Sequence, residues 1–233
     1  EFERGKINVS SAGTLLSFME KPNFKMSFGF AQYCAEGNLC GDTIKTINDS
    51  RGHMVFIISD GMGKGSRAAL DGAMGAGLLS KLLSAGFGFD SSLKVVNSAL
   101  LVKSHEESLA TLDCVRVDLF SGKCEFYKAG APRSYIVKDD RLTKCELTSM
   151  PAGILRGVEF AKRTTVLNTD DEIIMMSDGV TDVGNEWLEK FLRLETTLEP
   201  NEKAKAILKI ALENSDEKHR DDMSVIVAKM LER

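Results

Sequence analysis

Two apolar segments of this sequence end in the same tripeptide, and this repeat limits most strongly how the chain can fold. The first segment closes with Ile57-Ile58-Ser59-Asp60-Gly61 and the second with Met175-Met176-Ser177-Asp178-Gly179. In both, a run typical of a buried β-strand stops at an aspartate, and the glycine lets the backbone turn at once. One Asp-Gly is an ordinary turn signal. Two copies with the same serine and the same preceding strand indicate that the aspartates have a shared function.

Two further acidic positions lie at the edges of predicted strands. Gly41-Asp42-Thr43 follows the predicted strand Lys25–Tyr33, and Asp221-Asp222 directly precedes the predicted strand Met223–Lys229. If these ends converge with the first two, three or four carboxylates share one site, and their mutual repulsion demands cations. Carboxylate oxygens select hard cations such as Mg²⁺, Mn²⁺ or Ca²⁺. A pair of such ions is a known device for phosphoryl hydrolysis.

The rest of the pattern predicts an α+β fold. Helices are expected over Ser66–Leu83, after a cap at Asp90, and after Pro200. Strands are also expected at His53–Ser59, Leu112–Leu119, Cys124–Ala129, Ser134–Lys138, Glu159–Leu167 and Glu172–Met176. Helices and antiparallel strands in separate runs are typical of the α+β class, with helices covering sheets.

The chain is predicted to form one domain. We expect a domain over residues 25–233, preceded by a tether or short terminal element over residues 1–24. Because the sequence starts at Glu1 rather than Met, we also expect it to be a fragment of something longer.

Composition excludes several classes of function. Thirty Lys and Arg against 34 Asp and Glu leave a net charge of −4, which lacks the basic surface of a nucleic-acid binder. Three histidines without metal-ligand spacing argue against a zinc hydrolase. Five cysteines without a CxxC pair are expected to be small buried residues in a reducing compartment. No apolar run approaches the ~18–20 residues of a membrane helix, so we expect no membrane contact within this fragment.

The glycine-rich stretch Gly61–Ser66 is not a nucleotide-binding loop, because it matches neither GxxxxGK[ST] nor GxGxxG. We interpret it as a flexible joint between a strand and a helix, with Lys64 as a solvated loop residue. Gly72, Gly75 and Gly77 lower the helix propensity of the segment that follows. They indicate either close packing of a core helix or a helix that moves between two positions.

The segment Ser59–Ala68 closely resembles the corresponding part of the stage II sporulation protein E family, which belongs to the metal-dependent serine/threonine phosphatases of the type 2C kind. Other phrases resemble that family in the same order, from about residue 25 to 230: Gly41-Asp42, Thr111-Leu112-Asp113, Asp118-Leu119 with Ser121-Gly122, Ala129-Gly130-Ala131-Pro132, Met150–Ile154, Met175–Val180 and Asp221–Ser224. The resemblance implies an αββα sandwich, in which two packed antiparallel sheets are flanked by helices.

The resemblance also implies roles for single residues in catalysis and metal binding. It makes Asp60 the ligand that bridges both ions and the backbone carbonyl of Gly61 a second contact to one ion. It assigns Asp42 to the same side, and Asp178 and Asp221 to the other ion. The chain departs from eukaryotic relatives at Asp222, where they carry Asn, and Arg4 is not convincingly placed to match their phosphate-binding arginine.

The activity implied is a protein-serine/threonine phosphatase, in which two Mn²⁺ or Mg²⁺ ions activate a water that attacks a phosphoserine. The expected substrate is a phosphorylated anti-sigma-factor antagonist, so the context is sigma factor regulation in bacterial sporulation. We expect a cytoplasmic domain, either free or as the cytosolic part of a larger membrane protein, and a homodimer through the helices that follow residue 64.

Three alternatives stay open at this point. The first is a stress-response phosphatase of the same partner-switching class. The second is a catalytically degenerate phosphatase fold that serves as a binding module, which the presence of all four aspartates disfavours. The third is a different metal hydrolase, such as a phosphodiesterase, which the order of the motifs disfavours.

Overall fold

Two five-stranded antiparallel sheets form the centre of the computed structural model. The structure describes residues 2–10, 13–37, 39–49, 51–63, 65–103, 109–139, 141–157, 159–184, 186–195, 197–217 and 219–233, and only the backbone of residues 2–19. Its elements are β1 (Phe2–Ser10), β2 (Gly13–Glu20), β3 (Phe24–Tyr33), β4 (Asp42–Asn48), β5 (His53–Gly61), α1 (Gly65–Ser84), α2 (Phe89–Lys103), β6 (Ala110–Asp118), β7 (Lys123–Ala129), β8 (Ser134–Lys138), β9 (Arg141–Cys145), β10 (Ala161–Val166), β11 (Glu172–Met176), α3 (Asp178–Thr181), α4 (Glu186–Leu194), α5 (Pro200–Asn214) and β12 (Met223–Glu232).

The first sheet has the strand order β10-β7-β6-β5-β4, and the second has the order β3-β12-β11-β8-β9. All neighbouring strands run antiparallel. Strands β1 and β2 form a separate hairpin. Helices α1 and α2 cover the first sheet, and α4 and α5 cover the second. The predicted α+β class and the αββα sandwich are confirmed.

Strand β5 shows why the layers stack in this way. Successive side chains of a strand point to opposite faces, so an apolar strand without polar alternation must be covered on both sides. Phe56 and Ile58 belong to the core between the two sheets, which also contains Ile226 of β12. Val55 and Ile57 face the other way, into the core that α1 and α2 close.

Several predicted boundaries need correction. Asp42 does not merely follow a strand: it begins β4, an edge strand that the sequence did not reveal because its side chains are largely polar and half-exposed. Asp90 is not a cap, because α2 begins at Phe89 and Asp90 lies in its first turn. Strand β9 was not predicted either.

Two parts of the prediction are not tested by the structure: the division of the chain at residue 24 and the position of Lys64. Residues 2–20, predicted as a tether or short terminal element, carry the hairpin β1–β2, and the division of the chain at residue 24 stays a prediction. Lys64 lies outside the described residues. Among the helices described, none combines the length and apolar character needed to cross a membrane.

Helix α1 lies against the ends of β4 and β5 because two of its glycines allow a close approach. A Cβ atom added at Gly72 would lie 2.1 Å from the Gly41 carbonyl oxygen, and one at Gly75 would lie 2.7 Å from Ser59 Oγ. A Cβ at Gly77 would have no described atom within 4 Å. Close packing therefore explains Gly72 and Gly75 but does not explain Gly77.

Candidate metal centre

Asp42 and Asp60 lie directly opposite each other on neighbouring strands. They are partners in the antiparallel register of β4 and β5. Residues opposite each other share a face of the sheet, with Cβ atoms about 4.5–5.5 Å apart, and like charges in that arrangement are destabilising. Asp60 follows Phe56 and Ile58 at two-residue spacing, so both carboxylates belong to the inner face of the first sheet.

Asp178 and Asp221 come from the second sheet. Strands β11 and β12 are antiparallel, with Met176 opposite Val225, so the end of β11 and the start of β12 lie at the same edge. The Ser177 amide donates to the Ser224 carbonyl over 3.0 Å, and the Ser224 amide donates to Ser177 Oγ over 2.9 Å. These bonds hold together the two backbone segments that carry the aspartates.

Polar bonds join the two sheets at this end of the sandwich. Gln32 Nε2 on β3 donates both to the Asp42 carbonyl of the first sheet and to Ser224 Oγ of the second, each over 3.0 Å. The carboxylate of Asp222 accepts hydrogen bonds from the amides of Ala35 (2.7 Å) and Gly41 (2.5 Å). The four predicted strand ends therefore meet in one region of the molecule.

Steric limits explain the glycine in each Ser-Asp-Gly. A Cβ atom at Gly61 would lie 2.0 Å from the Ala68 carbonyl oxygen, because α1 turns back over the end of β5. A Cβ atom at Gly179 would lie 2.2 Å from the Asp222 carbonyl oxygen. Each glycine thus permits a close backbone contact beside an aspartate, whereas the sequence predicted a turn at a position where Gly61 ends β5 and Gly179 lies in α3.

The carboxylates in this region raise one another's pKa values. Burial raises the pKa of Asp60 to about 8, and the charges of the carboxylates around it add to the rise. Those carboxylates are Asp42, Asp178, Asp221 and Asp222. Burial also raises the pKa of Asp178, with contributions from Asp221 and Asp182.

Asp42 is the most deeply buried of these aspartates, with 4% of its surface exposed. Burial raises its pKa to about 6, and Asp178 and Asp222 add to the rise. The nearby Ser177 and Ser224 hydroxyls lower this pKa in part, but no described group lies at hydrogen-bonding distance and angle from either carboxylate oxygen. A buried carboxylate without partners is rare in folded proteins.

The donor set fits a hard divalent cation, because it consists of carboxylate oxygens and two of them, on Asp42, are buried and unpartnered. Over the described ranges, no three His, Cys, Asp or Glu side chains are already arranged to hold one metal ion. The residues with the right chemistry are gathered here, and drawing them around an ion requires side-chain adjustment.

A cavity of about 210 Å³ opens next to the carboxylates. Asp221, Asp222, Tyr33, Glu36 and Arg220 are among the residues that line it. The guanidinium of Arg220 is anchored by Nε donating to Ser215 Oγ (2.8 Å) and by a bond to the Leu212 carbonyl (2.9 Å). Sequence reasoning missed both Arg220 and Gln32, because their roles depend on contacts between distant segments.

Comparison with known proteins gives consistent matches. The family model described as stage II sporulation protein E matches residues 50–231. The curated stage II sporulation protein E of Bacillus subtilis (strain 168) is 28% identical over 222 residues, which cover 92% of this chain and 27% of that protein. Its counterpart in Priestia megaterium is 31% identical over 200 residues, covering 83% and 34%. The chain therefore spans between a quarter and about a third of the length of these relatives.

Among solved structures, one match is the PP2C phosphatase domain, with a fragment of the regulatory domain, of the cell fate determinant SpoIIE from Bacillus subtilis. It superposes with a TM-score of 0.84 at 26% identity, over 98% of this chain and 71% of that one. The likeness covers both sheets and the flanking helices of the sandwich.

Proposed function

The chain belongs to the stage II sporulation protein E family, and from this premise we propose that it is a metal-dependent protein-serine/threonine phosphatase. Its catalytic centre is the carboxylate cluster at the end of the sandwich. The family supports the class of reaction, and the cluster supports the dependence on divalent cations.

One observation carries the proposal most directly: the Asp42 carboxylate is buried without a hydrogen-bond partner among the described residues, opposite Asp60. Burying a carboxylate without compensation destabilises the folded state. A bound cation removes this cost, because it neutralises the charge and takes up the free oxygens.

Each residue of the cluster has a distinct role in the proposal. Asp60 would help to hold both ions, Asp42 and the carbonyl of Gly61 would help to hold the first, and Asp178 and Asp221 would help to hold the second. Mn²⁺ or Mg²⁺, when bound, supplies Lewis acidity toward a water and the phosphate oxygens. Before loading, the protein holds a proton on the Asp60 carboxyl at neutral pH, because the pKa of that group is about 8.

The substrate we propose is a phosphoserine of a bacterial regulatory protein, the anti-sigma-factor antagonist. Arg220 lines the cavity beside Asp221 and Asp222, and its anchored guanidinium is a suitable donor for phosphate oxygens. Membership of the family supports a part in the regulation of a sigma factor in sporulation. A homodimer through α1 and α2 remains part of the proposal, as does a cytosolic domain within a larger protein.

The alternative of a catalytically inactive binding module is less well supported. Such a module has no need for facing buried carboxylates, and exchange of Asp42 or Asp60 for a neutral residue would stabilise it. The chain keeps these residues together with Asp178 and Asp221.

The test is dephosphorylation of a phosphoserine protein by the metal-free protein after addition of Mn²⁺. We expect phosphate release that depends on Mn²⁺ and is lost in Asp178→Asn. A matched control is Asp170→Asn, which removes an exposed charge in a turn where the positive φ of 70° suits asparagine. Phosphate release that persists in chelator, or equal activity in both variants, would contradict the proposal.

A further inference from the structure

The five cysteines fall into two groups. Cys114, Cys124 and Cys145 are fully buried, as predicted from the sequence. The same prediction is wrong for Cys34 and Cys40, which are only half-buried, and both are free thiols. They flank the loop that leads from β3 into β4, so they lie next to Asp42 and Asp222.

One carboxylate holds the two half-buried cysteines near each other. Asp222 accepts hydrogen bonds from the amides of Ala35 and Gly41, which directly follow Cys34 and Cys40 in the chain. The two peptide groups that end in these amides are therefore fixed on either side of a single side chain. We therefore expect the two cysteines to be close enough for a disulfide, which requires Cα atoms about 4.4–6.8 Å apart.

Further contacts bring the sulfur atoms together. Cys40 Sγ lies 3.9 Å from the carbonyl oxygen of Tyr33, the group that joins Tyr33 to Cys34. The Cys34 side chain is also close enough to the Cys40 thiol to help raise the pKa of that thiol. A bridge between Glu36 and Leu39 closes the loop between them.

We propose that Cys34 and Cys40 are a redox-active dithiol, which a small-molecule disulfide such as glutathione disulfide converts to an intramolecular disulfide. One cysteine attacks the oxidant and releases a first glutathione thiol. The second cysteine then attacks the protein-bound sulfur, forms the Cys34–Cys40 bond and releases the second glutathione. The protein thiols lose two electrons and two protons in total, and these reduce the oxidant to two thiols.

This modification site adjoins the carboxylate cluster. The cross-link would fix both ends of the loop, the second of which leads directly into Asp42. The inference rests on the geometry of the thiols and holds whether or not the protein is a phosphatase. Burial and the nearby carboxylates raise the pKa of Cys40, which slows its attack as a thiolate. The test is therefore an equilibrium measurement.

Folded protein is equilibrated with mixtures of reduced and oxidised glutathione, quenched with acid and digested with trypsin. The peptide Met26–Lys45 contains Cys34 and Cys40 and no other cysteine, so the disulfide appears as a loss of two hydrogen masses. We expect the folded protein to favour the disulfide at least about tenfold over the same synthetic peptide, because the fold raises the effective concentration of one thiol at the other. An equal or smaller preference than in the peptide would overturn the proposal.

Two sets of variants sharpen the test. Cys34→Ser and Cys40→Ser should give only a mixed disulfide with glutathione. Asp222→Asn keeps the size of the side chain but replaces one acceptor oxygen by a donor, so we expect most of the tenfold preference to disappear. A preference unchanged in Asp222→Asn would contradict the role given to this carboxylate. Cys114, Cys124 and Cys145 fall in other tryptic peptides and should stay reduced in the same samples.

Discussion

Two neighbouring rows of cross-strand residues on the inner face of the first sheet each bury a carboxylate. In one row the carboxylate is paired with a lysine, and in the other it faces a second carboxylate. In the deeper row, Asp113 on β6 lies opposite Lys128 on β7. The fully buried Lys128 donates to Asp113 Oδ2 over 2.6 Å and to Ser134 Oγ over 2.8 Å. In the outer row, Asp42 lies opposite Asp60, another carboxylate.

The two rows differ in whether another side chain neutralises the buried carboxylate. Asp113 has one oxygen without a partner among the described residues, whereas Asp42 has two and faces a second carboxyl group instead of a lysine. In the deeper row, Lys128 neutralises Asp113 within the core. We propose that cations from solution complete the outer row, which is the arrangement expected of a metal centre at an open edge.

The largest effect is expected from changing the outer row. Asp60→Asn should reduce metal-dependent phosphatase activity by more than about 100-fold, because a ligand proposed to hold both ions is lost. Loss of a residue that only supports a metal ligand typically costs about 10–100-fold. The metal-free variant should unfold no more easily than the parent, since Asn is neutral and, unlike Asp60, does not have to take up a proton on folding. Activity assays and denaturant melts measure both. Parental activity in this variant would contradict the bridging role.

The deeper row should respond through stability. Lys128→Met leaves Asp113 as a buried, unpaired charge, so we expect the free energy of unfolding to fall by about 3–5 kcal/mol. The double variant Lys128→Met/Asp113→Leu should recover most of this loss, since no unpaired charge remains. Urea denaturation measures all three proteins. A double variant as unstable as the single one would show that Lys128 acts by packing rather than by charge.

The outer row should also make the metal-free protein sensitive to pH. The pKa of Asp60 rises from 3.8 to about 8 on folding, and that of Asp42 from 3.8 to about 6. The folded state therefore holds protons that the unfolded state has lost, and stability must fall as pH rises from about 4 to about 8, by up to about 7 kcal/mol in all. Thermal melts in chelator measure this. In Asp60→Asn the decline should end near pH 6, and a curve identical to the parent would contradict the assignment.

Helix α1, which lies against the ends of β4 and β5, provides a test with smaller effects, and these effects should differ in direction between two of its glycines. Gly77→Ala should raise the free energy of unfolding by up to about 1 kcal/mol, because Ala favours the helix and meets no described atom. Gly72→Ala should lower it, because its Cβ would lie 2.1 Å from the Gly41 carbonyl. Equal effects of the two substitutions would contradict the close-packing interpretation of α1.

Much of the fold could be predicted because the strands that matter are apolar on both faces. Strand β11 was predicted with its observed bounds, and β5 with its observed start, since continuous apolar runs leave little choice. Strand β4 was missed because an edge strand with polar residues carries a weak signal.

The candidate site was predicted in part. The repeated Ser-Asp-Gly identified two aspartates, but the turn predicted at each is wrong, because Gly61 ends β5 and Gly179 lies in α3. The collision that a side chain at Gly61 would cause comes from Ala68 of a helix that must first fold back. The contact between Asp222 and the Ala35 amide joins residues 187 positions apart. No local pattern reveals such a pairing, so the bond by which Asp222 fixes the loop before β4 is a finding of the structure.

The central claim is that the outer row binds divalent cations in place of protons. Calorimetric titration of Mg²⁺ or Mn²⁺ into the metal-free protein at pH 7, in buffers of different ionisation enthalpy, counts the protons released. With the pKa of Asp60 at about 8, we predict the release of about one proton in the parent and none in Asp60→Asn. Binding without proton release, or the same release in Asp60→Asn, would contradict the account.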